Sequence, residues 1–331
     1  MRSRHCAPIP SRRFKLMPSV DPAVFAPDAV AETTAALNAD IVAKMSALPD
    51  LWSFPPELIR ETRRQGRGIF PLQAKSPRAQ VLEIEGKQGK VPIRVIAPEA
   101  ATGVYMHIHG GGWMFNQSDF QDESLEKIVA ATGMACISVE YRLAPEHPFP
   151  AGPDDCEAAA LWLVSEGRKR FATERFFIGG ESAGAHLSVL TLQRLRDRHG
   201  LRPFAGANLI AGCYDLGMTP SARSFDRGKL ILTPRDIALF VRACVPAGVD
   251  LRSPDVSPLY GSLEGMPPAL FSVGTYDAVL DDSMFMAARW EAAGNATSLK
   301  LWPGGCHVFQ GFDFPMAHEA FAAEIAFFNG H

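Results

Sequence analysis

Residues 175–190 read RFFIGGESAGAHLSVL: an apolar run, the pentapeptide Gly180-Glu181-Ser182-Ala183-Gly184, and a second apolar stretch. The first run has strand character and the second begins a helix, so a G-x-S-x-G falls on a strand-to-helix turn. Glycines at 180 and 184 let the chain turn sharply with its backbone close to neighbouring elements, and Ser182 then projects from the strand end. A serine hydroxyl is a weak nucleophile. Chemistry at such a turn needs a base, an acid that orients the base, and donors for an oxyanion.

Short apolar runs occur at 104–108, 134–139, 175–179, 206–211 and 269–273, with helical patterns between most of them. Strands alternating with helices predict parallel βαβ units, whose central strands are covered on both faces and therefore lack polar alternation. Residues 81–97 alternate around a Gly-containing turn, the pattern of a hairpin at a sheet edge. Phe321, Ile325 and Phe328 share one helical face, as do Met286, Trp290 and Ala293 before Gly294. A further helix is expected over 154–166, from the acidic pair Asp154-Asp155 to Gly167.

Two regions break this rhythm. Residues 1–80 carry helical pieces at 29–47 and 56–65 without strand signals, and 215–255 is a long connection interrupted by Pro220, Pro234, Pro246 and Pro254. Long connections in compact domains are usually lids or binding loops. The expected organisation is thus an N-terminal part of a helical cap over 1–80, then a catalytic domain over 81–331 with a cap insertion at about 215–255.

The remaining catalytic parts have candidates. His109-Gly110-Gly111-Gly112-Trp113 follows the strand at 104–108, and its glycines let backbone N–H groups approach a ligand. Asp277 follows the strand ALFSVGTY, and His307 follows SLKLWPGGC. The order Ser182, Asp277, His307 is that of α/β-hydrolases. Taken singly, Asp277 reads as the cap of the helix starting near 283 and His307 as a satisfied loop histidine; together with the turn and the triple glycine they read as catalytic.

The chain resembles the hormone-sensitive-lipase-like, or bacterial family IV, carboxylesterases of the α/β-hydrolase fold over about 81–331. The resemblance rests on HGGGW at 109–113, GESAG at 180–184 and the run YRLAPEHPFPA at 141–151. It implies a mostly parallel central sheet flanked by helices, with a helical cap. It also implies Ser182 as nucleophile, His307 as base and then acid, Asp277 as the group orienting His307, and the N–H groups of Gly111, Gly112 and Ala183 as oxyanion donors. Asp281 matches a second, structural acid of the family. Ala185, Ala278-Val279 and Val308 depart from the family pattern without removing a catalytic atom.

Composition and rival motifs bound the partners. The 331 residues carry 33 Lys and Arg against 36 Asp and Glu, a net charge of −3 that gives no footprint for nucleic acid. No run reaches the length of a membrane span, and the basic start MRSRHCAPIPSRRF has no apolar core of a leader, so a cytoplasmic location without membrane partner is expected. The six cysteines, at 6, 136, 156, 213, 244 and 306, read as reduced thiols. His107 and His109 form only half of a zinc site, and no G-x-G-x-x-G is present, so neither metal nor organic cofactor is expected. Trp113 and Phe115 are candidate acyl-pocket residues, Trp52 and Phe54 read as packing, and Arg60, Arg63, Arg64 and Arg67 read as a solvated helix face. The expected substrate is an uncharged ester of short to medium acyl chain. An aryl-formamidase-like amidase and a non-catalytic receptor on the same fold are the alternatives, and self-association into a homodimer is left open.

Overall fold

The computed structural model describes residues 20–331; Cys6 and the basic start lie outside them. Eight strands form one sheet: β1 (Gln80–Gly86), β2 (Gly89–Ile96), β3 (Val104–Ile108), β4 (Ala135–Val139), β5 (Phe176–Glu181), β6 (Phe204–Ile210), β7 (Ala269–Gly274) and β8 (Thr297–Trp302). Their order is β1-β2-β4-β3-β5-β6-β7-β8, and every pairing is parallel except those made by β2. The runs without alternation, β3, β4, β5 and β7, are buried along their whole length, whereas the edge strands β1 and β8 alternate. Helices on both faces account for this difference.

Ten helices accompany the strands: α1 (Glu32–Ala47), α2 (Pro56–Arg64), α3 (Asp122–Thr132), α4 (Ala151–Trp162), α5 (Arg168–Phe171), α6 (Ala183–His199), α7 (Pro220–Ser224), α8 (Pro234–Cys244), α9 (Leu280–Ala292) and α10 (Pro315–Gly330). Successive residues of β3 show the two-sided burial: Val104, Met106 and Ile108 join the core beneath α4, α6 and α9, while Tyr105 joins Phe328 of α10 and Leu125 of α3. Among the described residues no helix is long and apolar enough to cross a membrane. The five described cysteines are buried and free.

The expected helix 154–166 is extended at both ends. It starts at Ala151, because Pro153 lies in the first turn where a missing N–H costs no hydrogen bond. It passes through Gly167, which keeps helical angles, into α5 and stops at Ala172 with φ 50°. Asp154 and Asp155 do more than favour a helix start: Asp154 pairs with buried Arg194 at 3.0 Å, and Asp155 with Arg142 at 2.9 Å. The connection 215–255 holds α7 and α8, each with Pro at its first position, and α8 starts with a Thr233–Asp236 capping box. Residues of α1 pack on Leu230, Phe309 and Phe314, and Trp52 Nε1 donates to Asp236 at 2.7 Å, so the N-terminal helices and the 229–240 segment touch one another.

Glu324 interrupts the apolar face of α10. Its buried carboxyl accepts from Asn208 Nδ2 at 3.1 Å, and burial pushes its pKa up to about 8 from 4.5. A carboxyl whose pKa is higher in the folded than in the unfolded chain favours folding while protonated; that contribution is complete below about pH 4.5 and is lost as pH rises through about 8. Glu324→Gln is therefore expected to raise the Tm at pH 8 and to change it little at pH 4.5. A thermal melt series across this range that shows the same shift at both ends would contradict the assignment.

Candidate active site

Ser182 is the single residue between β5 and α6, held at φ 55° and ψ −120°, a strained conformation for a side chain with Cβ. The flanking glycines are sterically required. A Cβ at Gly180 or Gly184 would lie 1.9 or 1.8 Å from the Ile108 carbonyl at the end of β3. Ser182 N–H donates to the Ile210 carbonyl at 2.8 Å, and its own carbonyl accepts from His186 N–H at 3.1 Å. The apex of the turn is thus bonded on both sides. Ala183 is the first residue of α6, so its N–H has no intrahelical acceptor.

The three residues read from sequence as catalytic come together. His307 Nε2 lies 2.9 Å from Ser182 Oγ, and His307 Nδ1 lies 3.0 and 2.9 Å from the two carboxylate oxygens of Asp277. Asp277 also accepts from Val279 N–H at 3.0 Å, which holds its carboxylate still. Both Asp277 and His307 are buried. A proton on Nδ1 directed at Asp277 leaves the Nε2 lone pair facing the serine hydroxyl.

The glycine loop stands over this serine. Gly111 and Gly112 have φ 118° and 62°, and neither N–H donates to any group among the described residues. A Cβ would approach the Phe115 carbonyl to 2.3 Å at Gly111 and the Phe240 ring to 2.4 Å at Gly112. The loop is clamped to the residue before Ser182, since Gly110 N–H donates to Glu181 Oε1 at 2.5 Å. The other Glu181 oxygen meets His107 Nε2 at 3.0 Å. Burial raises the Glu181 carboxyl, but His107, Gly110 N–H and Gln121 outweigh it and hold it below its usual range. Asn116 Nδ2 donates to the Gly110 carbonyl at 3.2 Å, and the His109 ring stacks on Tyr141 at 4.3 Å. His107 and His109 are thus both employed in holding this loop.

A cavity of about 590 Å³ opens above Ser182, walled by residues of 45–73, the glycine loop, 229–240 and His307. Trp113 lines it, with Nε1 donating to His186 Nδ1 at 3.1 Å; burial lowers the His186 pKa to about 4, so this ring accepts as a neutral imidazole. Phe115 does not line it. Its ring is buried edge-on to Phe240 at 5.7 Å and lies beneath Arg63 at 4.6 Å, one layer behind the wall. Phe54, read as packing, does reach the wall, whereas Trp52 packs on Phe240.

The arginine patch departs further from a solvated face. Arg60 donates to the Met114 and Ala144 carbonyls at 2.8 Å each and pairs with Glu146, tying α2 to the chain after the glycine loop. Arg63 and Arg67 line the cavity, as do Lys229 and Arg235, so the site is not free of charge. Amphipathic spacing alone could not separate these fates, because the partners come from residues 50 to 90 positions away.

Two carboxylates escaped the sequence reading for the same reason. Glu181 looks like the variable position of G-x-S-x-G until Gly110 is brought to it. Asp282 stands beside the structural Asp281, which accepts from Ser221 N–H at 2.8 Å. Asp282 is the more deeply engaged: it accepts from Tyr214 N–H at 2.7 Å, Asp215 N–H at 2.8 Å and the Thr219 hydroxyl at 2.6 Å, and burial pushes its pKa up to about 7.

The chain is similar to known proteins. The alpha/beta hydrolase fold family matches residues 105–311. A carboxylic ester hydrolase, LipN, of Mycobacterium tuberculosis is 34% identical over 69% of this chain, which spans 63% of that relative. An esterase of Acinetobacter venetianus is 29% identical over 84% of this chain and 91% of its own. The crystal structure of a hormone-sensitive lipase from a metagenome library superposes with a TM-score of 0.78 at 25% identity, covering 90% of this chain and 97% of that one. The chain belongs to the alpha/beta hydrolase fold family, in its hormone-sensitive-lipase-like branch.

Removing the Asp282 carboxylate strands three buried donors next to the Asp277 strand end. Asp282→Ala is expected to cost about 3 kcal/mol of folding stability in urea denaturation, and Asp282→Asn distinctly less because one acceptor oxygen remains. Equal losses in the two variants would contradict this account.

Proposed function

We propose that the protein is a serine carboxylesterase that hydrolyses short- to medium-chain esters through an acyl-enzyme on Ser182. The observation that carries the reading is the continuous hydrogen-bond chain from Ser182 Oγ through His307 to Asp277, with unengaged N–H groups beside it. In the first step Ser182 Oγ attacks the ester carbonyl carbon while its proton passes to His307 Nε2. Asp277 keeps the imidazole in the tautomer that accepts, and then stabilises the imidazolium. The negative oxygen of the tetrahedral intermediate is received by the N–H groups of Gly111, Gly112 and Ala183, with the α6 N-terminus adding its dipole.

Collapse of the intermediate breaks the bond to the alcohol, which leaves with the proton from His307. Water then gives its proton to His307 and attacks the acyl-enzyme carbonyl; breakdown of the second intermediate releases the acid and returns the proton to Ser182. The segments 45–73 and 229–240 serve as parts of the cap, since their residues wall the cavity. A cavity of about 590 Å³ is of the size that encloses a small ligand, which supports a short to medium acyl group.

The experiment is hydrolysis of p-nitrophenyl esters with acyl chains of two to twelve carbons. Ser182→Ala is expected to lower kcat by about 10,000-fold, with wild-type kcat/KM peaking at short to medium chains. Hydrolysis that survives in Ser182→Ala would refute the acyl-enzyme. A folded wild-type protein inert toward all of these esters would refute the esterase reading, and a formanilide assay would then separate an amidase from a receptor.

A further inference from the structure

Four arginines lie within eight residues on and just after α2, and three have conventional roles or surroundings. Arg60 is saturated by two carbonyls and Glu146, Arg64 pairs with Glu57 and Glu61, and Arg67 is an exposed residue bonded to Gln65. Arg63 is different. It is half-buried on the cavity wall, and no Asp or Glu among the described residues comes within 4.0 Å of it. The first nineteen residues contain no Asp or Glu that could serve instead.

A guanidinium enclosed without a carboxylate loses hydration that no counter-charge replaces, and its enclosure here lowers the pKa to about 10 while leaving it protonated at neutral pH. Two neutral contacts hold it in place. Arg63 Nη1 donates to Asn116 Oδ1 at 3.0 Å, and the guanidinium lies over the Phe115 ring at 4.6 Å. Of its five N–H donors, only this one is used among the described residues. Its position relative to the chemistry is fixed by the same Asn116, whose Nδ2 binds the carbonyl of Gly110, the residue before the unengaged N–H groups. One amide side chain therefore separates a charged, under-used fork from the reacting carbonyl's site.

Other charges on the wall do not cancel it. Asp50 pairs with Arg235 at 2.7 Å, Asp236 caps α8, and Glu181 is committed to Gly110 and His107. Lys229 lacks any carboxylate within 4.0 Å among the described residues. The cavity thus carries uncompensated positive charge on otherwise largely apolar walls.

We propose that Arg63 forms an anion subsite of the active-site cavity, and that the preferred substrates are esters carrying a carboxylate, such as half-esters of dicarboxylic acids. A planar guanidinium with free adjacent donors binds a carboxylate by two parallel hydrogen bonds, and the enclosed site strengthens them. This departs from the expectation of an uncharged ester, and it rests on the proposed esterase activity for turnover, though not for the binding of the anion.

Binding and turnover separate the two. In titration calorimetry of Ser182→Ala at pH 7.5, monomethyl glutarate is expected to bind at least about tenfold more tightly than dimethyl glutarate. Adding Arg63→Gln abolishes that advantage, and Arg63→Lys, which keeps the charge and loses the fork, retains part of it. Equal affinity of monoester and diester in the Ser182→Ala chain, or a preference that survives Arg63→Gln, overturns the subsite; the first of these outcomes needs no Arg63 variant to fold. In turnover, the wild-type kcat/KM ratio of p-nitrophenyl hydrogen glutarate to p-nitrophenyl methyl glutarate is expected to exceed about 10 and to approach 1 in Arg63→Gln. Hydrolysis of both esters at equal efficiency refutes the subsite and leaves the esterase reading intact. Tight binding of the monoester with hydrolysis of neither does the reverse.

Discussion

The Ile108 carbonyl, at the carboxyl end of β3, sets the closest approach in the site. Gly180 and Gly184 both press against it at distances that exclude any Cβ, so the nucleophile turn and the strand that precedes the glycine loop form one rigid unit. Glu181 completes that unit by taking the Gly110 N–H across the gap. The strain of Ser182 at positive φ is sustained by this surrounding structure, with bonds to Ile210 and His186 on either side of the turn. Ser182 and the glycine loop are therefore positioned by close backbone contacts between adjacent parallel strands.

His307 and Asp277 reach the same point from strands further along the sheet. Both sit in loops at the carboxyl ends of β8 and β7, where parallel strands deliver successive loops to one edge. Their burial removes competing water, and the Val279 N–H fixes the carboxylate before the imidazole meets it. Asp282, one helical turn on, anchors the β6–α7 connection to α9 and so supports the same edge.

Arg60 and Arg63 show how much of the site lay beyond sequence patterning. They are the same residue type on the same helix, three positions apart, and a solvated face was the natural reading for both. Arg60 ends among carbonyls and Glu146, while Arg63 ends over Phe115 with most of its donors unused. The reading of Phe115 as a pocket residue failed for a related cause: an aromatic after a glycine loop can point into a cavity or behind it, and only Phe240 and Arg63 decide which. Gly167 misled in the opposite direction, because a glycine stops a helix only where the chain needs positive φ.

Local sequence patterns carry the α/β order, the tight turn at Ser182, and the candidates Ser182, Asp277 and His307 that the fold brings together. These are local matters: buried parallel strands need unbroken apolar runs, a tight turn needs glycine at fixed offsets, and a catalytic set needs particular chemical groups. Tertiary structure alone decided what walls the cavity and which charges there are matched. Such pairings join residues 50 to 185 positions apart, as Arg60 meets Ala144 and Asp50 meets Arg235, and burial energy depends on the complete set of neighbours assembled around each group.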